Sequence, residues 1–328
     1  MITRRSVVLA GGASVLVAHR LGHGQPAVTM RRVAWVSLGS TASPAEAYGA
    51  FRQGMQDLGW LEGKNIEYQA AYADGDMNRL DILAGGLIGQ KVDVIVVGNA
   101  TTTRALQRAT KTIPLVMASV NNAVGNGFIA SLAKPGGNIT GITTQSDETL
   151  GKLIGVLHEL APDARRITVL MNENNPNQAV FWAAAQRACS ALDLVALRVV
   201  ANTPAQFGAA SEQIVRQRSQ AVVVVADPIF LNERVKLQGL LQAARLPVAY
   251  GWREHVVAGG LLSYAADLAA TARHVATYVD KILKGANPAN LPVEQPRRFE
   301  LVINLKTAKA LGITIPKDML LRADEVIQ

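Results

Sequence analysis

The residues able to do chemistry in this chain sit in short polar turns that follow apolar, β-branched runs. They are Ser40 and Ser43; Asn99 and Thr101; Asn121 and Asn122; Asn172, Asn174 and Asn175; Asp227; Trp252 with Arg253; and Tyr264. Hydroxyls, amides and the free N–H groups of helix starts suit a small polar or zwitterionic solute. A carboxylate fits the helix amino termini at Ser43 or Thr101, where unpaired N–H groups and the helix dipole favour an anion. Asp227 can receive an ammonium group, and Trp252 or Tyr264 can pack on an apolar or aromatic portion. Some of these residues also have a purely structural use. Ser43 suffices as a helix cap, Asn99 as a turn residue tolerant of positive φ, and Asp227 as the cap of its own helix. Of Asn172–Asn175, one asparagine is expected to reach a ligand.

The same inventory is poor in catalytic groupings. There is no Gly-x-Ser-x-Gly elbow, no His-Glu-x-x-His and no phosphate-cradling glycine loop. Glu254 and His255 are an acid and a base side by side, but sequence neighbours point apart on a helix. The histidines His19, His23, His158, His255 and His274 show no metal-ligand spacing, so no metal site is expected. Cys189, the single cysteine, lies in an apolar helical stretch and reads as a buried, inert thiol. Binding without a catalytic residue, metal or cofactor is the expectation. An enzyme assembled from scattered residues is the minor alternative.

The elements that must position these turns repeat one pattern. Val92–Val97 is the clearest case: a β-branched run of the kind buried on both faces of a parallel sheet, broken at Gly98-Asn99 and followed by an amphipathic segment from Thr101. Val33–Leu38, Asn65–Tyr72, Leu115–Ala118 and Ile139–Thr143 are further strands, with helices starting at Ser43 and Asp76 between them. A second round runs through Ile167–Met171, Leu194–Val200, Ala221–Val225, Pro247–Tyr250 and Leu261–Tyr264. Its helices are Leu150–Leu160, one entered through Asn172–Asn177, one near Ala205–Gln217, and one from Asp227 to near Ala244. Leu268–Leu283 is a long helix, and Phe299–Ile303 with Lys306–Leu311 closes the chain. Strands alternating with helices at this spacing predict α/β units and parallel sheets, too many for one comfortable sheet. Two doubly wound lobes around a cleft are expected, with ligand at the carboxyl ends of the strands.

Composition excludes several classes. Hydrophobic residues at 49% rule out a disordered chain, and no apolar run reaches the length of about 18 residues expected of a membrane-spanning helix. The net charge of +8 includes Arg4, Arg5 and Arg20, which lie among 27 residues without an acid. The rest is dispersed, with no basic stripe for nucleic acid. Those first residues have a basic head at Thr3-Arg4-Arg5, an apolar middle from Ser6 to Ala18 and a small-residue exit at Ala27. They read as a secretory signal over residues 1–27, with the paired arginines favouring twin-arginine export over the ordinary Sec route. Cleavage is expected after Ala27. No cysteine lies nearby, so a lipoprotein is not expected.

Several long stretches carry a family resemblance. Ile282-Leu-Lys-Gly-Ala-Asn-Pro-Ala-Asn-Leu-Pro-Val-Glu-Gln-Pro296 and Phe299-Glu-Leu-Val-Ile-Asn-Leu-Lys-Thr-Ala-Lys-Ala-Leu-Gly312 closely resemble the ABC-transporter substrate-binding family that includes tryptophan- and tyrosine-binding receptors. Gln53-Gly-Met-Gln-Asp-Leu-Gly-Trp60, Ser131-Leu-Ala-Lys-Pro-Gly-Gly-Asn-Ile-Thr-Gly141 and Gly259-Gly-Leu-Leu-Ser-Tyr264 match its other recurring stretches. The resemblance implies a type I periplasmic-binding fold whose two α/β lobes are joined by three crossovers, here near Gly141–Asp147, Ser263–Asp267 and Arg297–Leu301. It divides the chain into one lobe of 28–143 plus 264–298 and another of 144–263 plus 299–328. It further implies a periplasmic, monomeric receptor that hands a solute, an amino acid or aromatic amino acid first, to an ABC permease. Where many members carry Asp-Pro, this chain has Asn121-Asn122-Ala123, which removes an acidic group from that turn. A ligand-sensing subunit that docks on a membrane sensor kinase would share the fold and leader.

Overall fold

The computed structural model describes residues 30–40, 45–296 and 298–328. The leader at residues 1–27 and the Ser43 cap lie outside the described residues.

Each apolar run followed by Gly, Asn or Asp folds as a strand and then a helix. The first round is β1 (Arg31–Ser37), α1 (Ala45–Asp57), β2 (Ile66–Tyr72), α2 (Met77–Gly89), β3 (Val94–Val97), α3 (Ala100–Ala109), β4 (Leu115–Asn121) and β5 (Ile139–Thr144). These strands pair in the order β2-β1-β3-β4-β5, every neighbour parallel. Both faces of the sheet are covered. Ala34, Val36, Ile95 and Val97 pack with Leu80, Leu87 and Leu106, while the alternating Val33, Trp35, Val94 and Val96 pack with Phe51 and Met55.

The second round is α4 (Ser146–Leu160), β6 (Arg166–Met171), α5 (Gln178–Ala191), β7 (Val195–Val200), α6 (Phe207–Arg216), β8 (Ala221–Val224), α7 (Pro228–Asn232), α8 (Arg234–Ala243), β9 (Val248–Tyr250), α9 (Arg253–Val257), β10 (Leu262–Ala266) and α10 (Leu268–Leu283). It ends with β11 (Phe299–Asn304), α11 (Leu305–Leu311), α12 (Lys317–Arg322) and β12 (Glu325–Ile327). The second sheet has the order β12-β11-β10-β9-β8-β6-β7. It is parallel except between β10 and β11, which run antiparallel because the chain re-enters this sheet from its far side.

Three passages link the sheets. The chain leaves the first sheet after β5, returns to it after β10, and leaves again beyond residue 296. On its return, α10 packs against α1 and adds Ala272, Val275 and Ala276 to the core around Phe51. The two helices come almost to backbone contact at Gly54. A Cβ there would sit 2.8 Å from the carbonyl oxygen of Arg273 and 2.9 Å from the Cβ of Ala276. The segment after α10 then runs beside β5, where Glu294 N–H donates to the Gly141 carbonyl at 3.0 Å and Thr143 N–H to that of Glu294 at 2.9 Å.

Two helices differ from the sequence pattern. The helix expected from Asp227 to Ala244 is broken at Glu233, so that α7 turns Phe230 and Leu231 into the core before α8 begins. The helix expected from Leu150 starts a turn earlier, at Ser146, with Asp147 and Glu148 in its first turn complementing the dipole.

Candidate binding cleft

The carboxyl ends of β1, β3 and β4 face those of β6, β8 and β9 across a cleft, the position open α/β sheets leave for ligands. Its inner chamber is walled by Trp35, Phe181 and Trp252 and floored by Ala118, Ser119, Ala226 and Leu268. A smaller recess behind Trp252 is closed by Tyr264, which stacks on Phe299 at 5.9 Å. The strand ends at its back are tightly juxtaposed: a Cβ on Gly251 would lie 2.6 Å from the backbone nitrogen of Ala226. An outer chamber shares Thr101, Pro228 and Asn232 with the inner one. The inner chamber has a free volume of about 100 Å³ and the outer about 320 Å³.

On the first-sheet wall, α3 begins beside the cleft. Asn99 is extended (φ −157°), so it is a helix cap rather than a left-handed turn residue. Its Oδ1 accepts from Thr102 N–H at 2.9 Å, and its carbonyl accepts from Thr103 N–H. The N–H groups of Ala100 and Thr101, in the first turn, face no acceptor among the described residues. Asn121, the last residue of β4, is 7% exposed. Its Oδ1 accepts from Ser146 N–H at 2.7 Å, which ties β4 to the start of α4, while its Nδ2 has no acceptor.

The neighbouring Asn122 is not part of the lining. It takes a left-handed conformation (φ 51°) and its Oδ1 caps Gly125 N–H. Asn122 therefore does turn-capping work outside the inner chamber. From the same turn, Asn126 Nδ2 donates to Asn177 Oδ1 at 2.8 Å, a bond between the two halves of the cleft.

The opposite wall is self-contained. Asp227 is 2% exposed and caps α7 through Ile229 N–H at 2.9 Å. Its carboxylate also accepts from Asn175 Nδ2 at 2.7 Å and from Asn172 Nδ2 at 3.2 Å. Burial pushes its pKa up, against the opposing pull of these hydrogen bonds. The cap role is thus realised, and both carboxylate oxygens are already occupied.

Of the residues singled out from sequence, Asn99, Thr101, Asn121 and Trp252 line the inner chamber. Ser40, Asn174 and Asp227 line the outer one, and Tyr264 lines the recess. Asn175, another of the candidates, also lines the inner chamber, as do Trp35, Phe181 and Asn177, which were not among them. The alternation that buries Trp35 and the helical spacing that buries Phe181 read in sequence as ordinary core signals. No Asp, Glu, Lys, Arg or His lines the inner chamber or the recess among the described residues. Glu254 and His255 stand behind Trp252 in α9. His255 is buried and stacked on Tyr250 at 4.8 Å, and burial drives its pKa down to about 3.

Comparison with known proteins decides the family. The model of the ABC transporter substrate binding protein family matches residues 33–327. The chain belongs to that family. A curated relative, a tyrosine-binding protein of Clostridioides difficile, is 23% identical over 268 residues, covering 82% of this chain and 77% of its own length. Among solved structures, the ABC domain in complex with L-Trp from Streptococcus pneumonia has a TM-score of 0.85 at 22% identity, covering 91% of this chain and 100% of its own. A conserved domain protein from Vibrio cholerae has a TM-score of 0.84 at 27% identity, covering 90% and 99%. The fold is the two-lobed, type I periplasmic-binding-protein-like one found in such solute-binding proteins.

Proposed function

We propose that this substrate-binding protein is the exported receptor of an ABC importer. In this reading the arginine-bearing leader sends it to the periplasm, where it works as a soluble monomer without a lipid anchor and without catalysis. Residues 28–143 with 264–298, and 144–263 with 299–328, move as two units that close on solute, and the closed form is presented to a membrane permease. Closure is favoured because solute contacts both walls only when they meet. The observation that carries the reading is the cleft itself: aromatic, amide and hydroxyl side chains from both sheets and the N–H groups at the start of α3 converge on one small chamber without a charged side chain among the described residues.

The solute class is small and polar, with an aromatic or apolar body. The tyrosine and L-Trp named for two relatives put aromatic amino acids and their close analogues first. A thermal-shift screen of the exported chain against amino acids, aromatic acids, nucleosides and sugars is the test. A saturable rise in Tm with one class is expected, since binding to the folded state alone raises stability by mass action. Absence of any shift across all classes would overturn the receptor function.

A further inference from the structure

Resting on that receptor reading, we propose that the recess behind Trp252 is a second subsite of the cleft, which takes one small substituent carried on the aromatic body of the solute.

The recess extends the inner chamber and is not a separate void. Ser119, Thr144, Phe181, Ala226, Trp252 and Leu268 line both, so the rings of Phe181 and Trp252 stand at the boundary between them. Beyond that boundary the free volume is about 30 Å³, against about 100 Å³ in the chamber. Such a space holds one group about the size of a water molecule or a methyl, and no ring. A solute whose body fills the chamber can therefore send only a short substituent past Trp252.

All three passages between the sheets contribute to the wall of the recess. Thr144 and Thr149 border the first, Ala266 and Leu268 the second, and Phe299 follows the third. Tyr264 and Phe299 lie diagonally across the antiparallel β10–β11 pair, and their stacked rings close the far end. In the receptor reading the lobes turn about these passages. A solute then meets the recess open, and the closing lobes seat its substituent there. A cavity inside either lobe would lack that entry path.

The protein does not fill this space itself. A Cβ on Gly251 would lie 2.6 Å from the backbone nitrogen of Ala226, so β8 and β9 meet backbone to backbone and no side chain projects from residue 251. The polar groups of the first passage are also committed. Thr144 Oγ1 and Ser146 Oγ share a hydrogen bond of 3.2 Å, and Thr149 Oγ1 donates to the Gln145 carbonyl at 3.0 Å. A substituent can enter without replacing either bond, and burial of one methyl group is worth a factor of about four in affinity.

The test is calorimetric titration of the exported chain with L-phenylalanine, L-tryptophan and their ring-methyl and ring-ethyl isomers, each ring position in turn. One methyl isomer is expected to bind about fourfold more tightly than its parent, and the ethyl isomer of the same position more weakly than the methyl. Ala266→Val fills the recess from a residue that does not line the inner chamber, and should bring the methyl isomer down to its parent. Tyr264→Ala lengthens the recess and should reverse the order of methyl and ethyl. A wild-type chain in which no methyl isomer gains over its parent would overturn the proposal, as would a gain that survives Ala266→Val. Should that variant fail to fold, an unreversed order in Tyr264→Ala overturns it instead. Binding of a sugar or nucleoside, with no aromatic parent bound, overturns the subsite and spares the receptor function. A chain that binds no small solute of any class loses both.

Discussion

The two walls of the cleft are built from the same strand–turn–helix unit and use their polar residues in opposite ways. On the first-sheet side, Asn99 satisfies the Thr102 and Thr103 N–H groups of α3 and leaves those of Ala100 and Thr101 open, and Asn121 keeps its amide hydrogens unclaimed. On the second-sheet side, Asp227, Asn172 and Asn175 consume one another's capacity completely. Polar residues at strand ends are therefore not equivalent candidates for ligand contact. Those whose partners are supplied by the protein hold the wall in shape, and those left short keep capacity that a solute could use. The packing beneath the walls does not differ in the same sense. The first lobe has close apolar helix contact at Gly54 and buries Asp280 against Trp60 and Lys284, while the second buries Asp227 and His255.

The largest effect is expected from Asp227→Ala. It strands two asparagine amides and the Ile229 N–H of α7, and should cost about 3 kcal/mol of stability by loss of a buried hydrogen-bonded cluster and a cap. Urea unfolding with lobe-resolved hydrogen exchange would locate the loss in the second sheet. Loss of solute binding with unchanged stability would instead make Asp227 a ligand contact and erase the contrast between the walls.

Next is Gly54→Ala. Its methyl would collide with the backbone of α10 and should destabilise the first lobe by about 2 kcal/mol through overpacking. Gly49→Ala on the same helix, where nothing lies within 4 Å, is the matched control and should gain up to about 1 kcal/mol from helix propensity. Equal effects at the two sites would show that α10 does not need glycine for its approach.

The most gradual is a pH effect. His255 is neutral in the folded state down to about pH 3, whereas the unfolded chain binds a proton near pH 6.5. The unfolded state thus holds more protons between these values, and stability falls as pH drops, by about 1.4 kcal/mol per pH unit. Asp227, with its pKa raised by burial, titrates in the opposite direction. The contribution of His255 is isolated by subtracting the profile of His255→Phe, which should be flatter between about pH 4 and 6 by that slope. Identical slopes in the two proteins would mean that the imidazole is charged inside the second lobe.

Much of the fold was legible because its signals are local. Apolar β-branched runs mark the strands, and Asp76 marks a helix start within three residues of the N–H groups it binds, whereas Asn99 read as a turn residue and proved to be a cap. Leu268–Leu283 is bounded by Asp267 and by the stop at Gly285, and its ends could be read directly. The antiparallel β10–β11 pair could not be, since it depends on the chain's return from the other sheet. The site was legible only in part for the same reason. Turn residues announce themselves by type, but the partners that occupy Asp227 lie 52 and 55 residues away. Phe181 and Trp35 carry the same periodicity as the core residues beside them. Asn122 reads as a polar turn residue like the others yet only caps its own turn.

The Asn126–Asn177 hydrogen bond bridges the halves of the cleft without touching its lining from the first-sheet side. A neutral bond of this kind contributes about 1 kcal/mol, a factor of about five in an equilibrium. On the proposed receptor function, in which the lobes open to admit solute, that factor is a conformational bias present before any solute arrives. It would multiply the apparent affinity for every solute alike, while leaving the ranking among them to the groups inside. Capture threshold and selectivity would then reside in separate residues, free to be tuned one without the other.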